Sequence, residues 1–158
     1  MKLFASAIRG SMAMLLCGVF FLGAIHLLAA ISPLSQEQLD EQSELIVTGR
    51  VVAIESKVQK SKIEWALGIH RDRVYSIKLE MVSLHKSPQL EQGKGLKELL
   101  VVEAWRPVTR IPPLPGLQGH ESIPKKGDLV KMYLKWNKNG AHWEPLLPNG
   151  IEITRKAE

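Results

Sequence analysis

Apolar positions run almost without interruption through residues 10–34, thin out through residues 35–44, and from Leu45 onward recur largely at every second position. The first stretch holds Leu15, Leu16, Val19, Phe20, Phe21, Leu22, Ile25, Leu27 and Leu28, has no Asp, Glu, Lys or Arg, and follows Lys2 and Arg9. A basic flank before such a run has the character of an export segment. The next charges are Glu37, Asp40, Glu41 and Glu44, so the basic flank is expected to stay cytoplasmic while the rest of the chain crosses. Ala29 and Ala30 are small enough for a signal peptidase, although Leu28 is large for the position two before Ala30. The apolar run, about 20 residues, is also long enough to span a bilayer. Residues 1–34 are therefore expected to be a signal peptide or an N-terminal membrane anchor, with the anchor favoured.

Ser35 and Gln38 have the spacing of a capping box, and Glu37, Asp40 and Glu41 complement the positive end of a helix dipole. They predict a short helix over residues 35–44, too poor in apolar residues to be more than a spacer or a lid on the domain edge. The period then becomes that of strands. Leu45, Val47, Gly49, Val51 and Ala53 share one face of the first strand, and Gly49 predicts a bend or bulge. In the second, over 73–84, Tyr75, Ile77, Leu79 and Met81 oppose Ser76, Lys78 and Glu80. The third, over 97–105, has Leu99, Leu100, Val101 and Val102 in a row, which implies burial on both sides or under the helix. In the fourth, over 128–136, Val130, Met132, Leu134 and Trp136 form the dry face, with Lys131, Tyr133 and Lys135 opposite. Asn139-Gly140 predicts a hairpin into a strand over 141–146, and Pro148-Asn149-Gly150 a turn into a last strand over 151–154. The expected architecture is all-β: five or six antiparallel strands over residues 45–154, closed or half closed into a barrel, with a tail at 155–158.

The segments LIVTGRVVAIES, YSIKLEMVSLHKS and GDLVKMYLKW, with GHESIPKKGD and PLLPNGIEI between and after them, resemble small exported bacterial domains of the OB-fold or netrin-like type. The same barrel is used by tissue inhibitors of metalloproteinases. The resemblance implies an OB-like barrel with a short N-terminal helix, preceded by the hydrophobic export or anchor helix. It does not imply protease inhibition, because that activity places an N-terminal Cys on the protease zinc and the only Cys here is Cys17, inside the export segment.

Charge and chemistry narrow the function classes. The chain has 21 Lys and Arg against 16 Asp and Glu, a net +5 without a dense basic block, so nucleic acid is not an expected partner. The single Cys17 excludes a disulfide framework, and the large Leu16 before it argues against lipid attachment. Gly-x-Ser-x-Gly, His-Glu-x-x-His and Gly-x-x-x-x-Gly-Lys motifs are all missing, so no catalytic residues and no enzymatic activity are expected. His142 and Glu144 fall on one strand face, but two ligands are too few and His70 and His85 have no spacing that joins them; neither a metal nor a cofactor is expected.

What remains is binding. Residues 106–126 hold five of the prolines and read as a long irregular connection stiffened across a barrel end, with Arg106 and Arg110 on its flank and His120 between Gly119 and Glu121. Trp65, in a polar connection with Ile63 and Leu67, is the aromatic most suited to face a partner or the membrane interface, while Trp136 is expected in the core. The candidate binding residues are thus His120, Arg106, Arg110 and Trp65. The expected role is a non-enzymatic binding or assembly module of the cell envelope, held in the inner membrane by its N-terminal segment and facing the periplasm or extracytoplasmic side. A cleaved segment would leave it secreted. The alternative role is binding of a small sugar or anion at the barrel end by His120, Arg106 and Arg110.

Overall fold

A computed structural model of the protein describes residues 32–64, 68–87, 99–113 and 119–157. The export or anchor segment expected over residues 1–34 and the Trp65 site lie outside them, apart from residues 32–34. Among the described residues, no helix is long and apolar enough to cross a membrane. The elements are α1 (Gln36–Gln42), β1 (Leu45–Lys60), β2 (Ile69–Lys86), β3 (Leu99–Ile111), β4 (Leu129–Asn137), β5 (His142–Pro145) and β6 (Ile151–Arg155).

The six strands form one sheet in the order β1-β2-β3-β5-β4-β6, and β1 also pairs with β4, so the hydrogen bonding runs round in a ring. β1 serves two neighbours. Its first six residues pair with Leu134 to Leu129 of β4 while nearly its whole length pairs with β2. Register shifts at Ile46/Val47, Thr48/Gly49 and Val51/Ala53 provide the bend that this requires. At Gly49 an added Cβ would lie 2.8 Å from the Glu80 carbonyl oxygen, so close approach of the two strands demands glycine there.

The sheet is mixed rather than wholly antiparallel. β5 returns from β4 by a hairpin, but it meets β3 in parallel, through the single register pair Val102 and Trp143. The alternation of β1, β2 and β4 delivers Leu45, Val47, Val51, Ile77, Leu79, Val130, Met132 and Leu134 to one core, where all are at most 1% exposed. β3 also alternates, against the expectation of two-sided burial: Leu100, Val102 and Ala104 point inward, whereas Leu99 and Val101 are exposed. Among the described residues α1 is the only helix, and it packs on β4.

α1 is capped as its sequence requires. Ser35 Oγ accepts from the Gln38 N–H at 3.2 Å, and Gln38 Oε1 accepts from the Ser35 N–H at 2.9 Å. The helix packs over β4, where Leu39, Ile46 and Tyr133 make a second small core. This overturns two expectations on β4. Tyr133, on the nominally wet face, is 1% exposed because α1 covers it and Gln36 Nε2 donates to its hydroxyl at 2.6 Å. Trp136, on the nominally dry face, is exposed and lies edge-to-face on Trp143 with centroids 5.2 Å apart, because it falls at the end of β4 beyond the main core.

The expected irregular stretch over 106–126 also needs correction. Its first six residues, including Pro107, belong to β3. Pro107 pairs with Asp72 next to a register shift, a position where a missing N–H is tolerated. Arg106 and Arg110 are therefore strand residues, held in register with Arg73 and His70 of β2.

Candidate functional site

Beyond the core, β1 and β2 continue as a long hairpin whose connection folds back on itself. The Ser61 N–H donates to the His70 carbonyl at 2.9 Å, and the Glu64 N–H to the Ser61 carbonyl at 3.0 Å. Glu64 then acts as a clamp, accepting from the His70 N–H at 2.8 Å and from the Arg71 guanidinium. This turn overhangs the sheet and leaves a recess of about 150 Å³ beneath it. Lys60, Ser61, Lys62 and Ile63 form the overhang; Asp72 and Val74 come from β2, Glu103, Trp105 and Arg110 from β3, and Glu144 from β5.

The recess carries charge of both signs at fixed places. Arg110 Nη2 pairs with Asp72 Oδ1, and Arg110 Nη1 donates to the Arg71 carbonyl at 3.0 Å. Both side chains of the pair are only 12–13% exposed, so the pair is a built part of the wall. On the β5 side stands a second group. Val102 and Trp143 are register partners that pack inward, so their neighbours Glu103, His142 and Glu144 emerge together on the other face. His142 Nε2 lies 2.8 Å from Glu144 Oε1 and 3.7 Å from Glu103 Oε1. Asn137 Nδ2 donates to Glu144 Oε1 at 2.6 Å.

Electrostatics follow from these contacts. Burial works against a charged His142, yet the bonds to Glu144 and to the Gly140 backbone, with the charges of Glu103 and Glu144, raise its pKa above the ordinary histidine value. Burial likewise works against ionised Glu144, and the bonds from Asn137 and His142 overcome it and lower that pKa.

Of the residues singled out in the sequence, Arg110 lines the recess and Trp65 lies outside the described residues. Arg106 Nε donates to the His120 carbonyl at 2.7 Å. His120 is 2% exposed, and both of its ring nitrogens face main-chain groups. Its backbone N–H donates to the Trp105 carbonyl at 3.0 Å, and its ring Nδ1 accepts from the Trp105 backbone N–H at 3.1 Å. A side chain thereby supplies the acceptor that a neighbouring strand would supply. Nε2 then carries the proton, directed at the Pro145 carbonyl 3.1 Å away. Gly119 makes this approach possible: its φ is +72°, and a Cβ would lie 2.5 Å from the Trp105 carbonyl oxygen. His120 is thus an internal strut beside the site, and its neighbour Trp105 is the residue that reaches the recess.

Burial of His120 lowers its pKa below 6.5. The unfolded chain therefore takes up the proton first as pH falls. The stability that neutral His120 provides is complete above about pH 6.5 and is lost as pH falls through the depressed folded pKa. His142, with its raised pKa, contributes in the opposite sense, so the two are separated by substitution. The wild-type urea midpoint minus that of His120→Gln is expected to shrink between about pH 7 and pH 5. An unchanged difference would remove His120 as a source of acid sensitivity.

Sequence reasoning missed Asp72 and Glu103. The signal for Glu103 was available in part, since it lies one residue beyond the Leu99–Val102 run, but its role depends on a strand pairing forty residues distant. Compared with protein-family models, with curated proteins and with solved structures, the chain gives no match.

Proposed function

We propose that this chain is an exported, membrane-tethered, non-enzymatic binding module of the cell envelope, and that it holds its partner at the recess under the β1–β2 turn. The observation that carries this reading is the recess itself, whose walls come from four separate elements and include a mostly buried ion pair. The ring order β1-β2-β3-β5-β4, closed by a bent β1 and containing a parallel β3–β5 contact, supports an OB-like barrel. Barrels of that type take ligands on the β2–β3 face and at the loops joining strands one to two and four to five. The recess occupies that region. Its volume, about 150 Å³, is below the range of about 300–1,000 Å³ usual for drug-sized ligands. That size suits one anchoring side chain of a protein partner, the kind of contact that dominates protein interfaces. The basic flank of Lys2 and Arg9 and the uncharged apolar run after it support the tether.

The test is isolation of the full-length protein from membranes under mild conditions, with mass spectrometry of everything that accompanies it. The expected result is a full-length chain with a stoichiometric protein partner. That partner is expected to be lost in the double variant Lys62→Glu, Ile63→Glu, whose circular dichroism should match the wild type because both positions lie in a turn. Retention of the partner by the variant would rule out the recess as the contact. A mass lacking about 30 N-terminal residues, with no partner, would overturn the tether and leave binding of a small sugar or anion as the role.

A further inference from the structure

We infer that Glu103, His142 and Glu144 form a binding site for one divalent transition-metal ion, with Zn²⁺ as the ion of choice. One ligand atom from each residue can be drawn so that all three lie within 4.8 Å of one another. Zn²⁺ binds histidine nitrogen and carboxylate oxygen at about 2.0–2.2 Å, so tetrahedral ligands stand about 3.3–3.4 Å apart. The present separations from His142 Nε2, 2.8 Å to Glu144 and 3.7 Å to Glu103, bracket that spacing. The carboxylate oxygens of Glu103 and Glu144 are within 4.8 Å of each other, so side-chain adjustments of at most about 1.5 Å would bring the three donors round an ion.

The surroundings are those of a ligand set. The His142 ring lies against Gly140, where an added Cβ would stand 2.3 Å from Nδ1, while Nε2 faces the carboxylates. That packing holds the imidazole edge-on and leaves Nε2 as the donor atom. Asn137 performs the same service for Glu144. With the imidazole deprotonated, as metal ligation requires, the two carboxylates give the cluster two negative charges. Lys62 acts on Glu144 through space, and among the described residues no Lys or Arg is within ion-pair distance of either carboxylate, whose partner is His142 itself. Mixed nitrogen and oxygen donors select first-row transition ions over Mg²⁺ and Ca²⁺. Three protein ligands leave a coordination position open, and because Glu103 and Glu144 also line the recess, that position adjoins it. The site stands independently of whether the recess receives a protein partner.

The experiment is calorimetric titration of ZnCl₂ into the full-length protein in detergent, stripped beforehand with chelator, with Co²⁺ absorption as the report on coordination geometry. The expected result is one Zn²⁺ per chain, not displaced by excess Mg²⁺, and the intense visible bands of four-coordinate Co²⁺. Glu103→Gln and His142→Ala should each weaken binding at least tenfold, and Asn137→Ala by about 10–100-fold. Glu103→Gln keeps the size of a partly exposed side chain and carries the test even if His142→Ala perturbs the fold. Absence of saturable binding would overturn the proposal. So would stoichiometric binding with unchanged affinity in Glu103→Gln, which would place the ion at other histidines.

Discussion

Replacing Arg110 by Met is expected to lower the stability of the folded domain by about 3 kcal/mol. The long apolar stem survives in Met, so packing is largely kept and the loss isolates the charge. Asp72 is then left in the wall of the recess with its carboxylate stripped of the guanidinium that faces it, at a side-chain exposure of 13%. An ion pair in such a place contributes little over a pair of apolar residues, but half of one is costly because the remaining charge can neither reach bulk water nor find a substitute. The estimate takes the low end of the usual range for broken buried pairs, about 3–5 kcal/mol, because both side chains keep a little exposure. Urea denaturation followed by tryptophan fluorescence measures it. The double variant Arg110→Met, Asp72→Leu should recover most of the loss. If Arg110→Met alone unfolds at the wild-type midpoint, the pair is solvated and does not brace the recess.

Leu134→Ala should cost about 2–5 kcal/mol, toward the upper part of that range. Leu134 is wholly buried and sits where β4 is flanked on both sides, opposite Leu45 of β1 and Pro145 of β5. The backbone around it is also tied, since the Glu44 N–H donates to its carbonyl at 2.8 Å. A ring of hydrogen-bonded strands cannot contract round a missing side chain as a loose edge can, so most of the cavity would persist. Leu84→Ala, on β2 at 48% exposure, is the control and should change stability by less than about 0.5 kcal/mol. Comparable losses at the two positions would mean that the ring does not hold its shape.

The strands were legible because period-two alternation is a local property: Tyr75, Ile77, Leu79 and Met81 declare their common side without knowledge of the rest of the chain. The capping box at Ser35 was legible for the same reason. What alternation does not carry is the identity of the neighbouring layer. Tyr133 and Trp136 exchanged their expected environments because α1 lies over one and the core ends before the other. Pro107 concealed the continuation of β3, since a proline within a strand run ordinarily marks its end and here coincides with a register shift. The site was legible only in fragments. His142 and Glu144 share a face by their spacing alone, but Glu103 joins them through the parallel contact of β3 with β5, which no local pattern encodes. Arg110 was found for its charge, whereas its partner Asp72 required the register of β2 against β3.

His120 gives this ring a construction in which one amino acid does the work of a missing length of strand. Between β3 and β5 the ladder consists of Val102 opposite Trp143 and goes no further among the described residues, while the imidazole reaches from the Trp105 N–H to the Pro145 carbonyl. The circumference is therefore laced at this seam by a side chain, and its width there is set by the size of an imidazole instead of by the pitch of a pleated ribbon. Slippage of β3 past β5 is the motion such a lacing forbids, since a one-residue step would detach both ends of the ring at once. The same lacing holds Glu103 abreast of His142 and Glu144, so the alignment of that cluster is inherited from a histidine that never touches it.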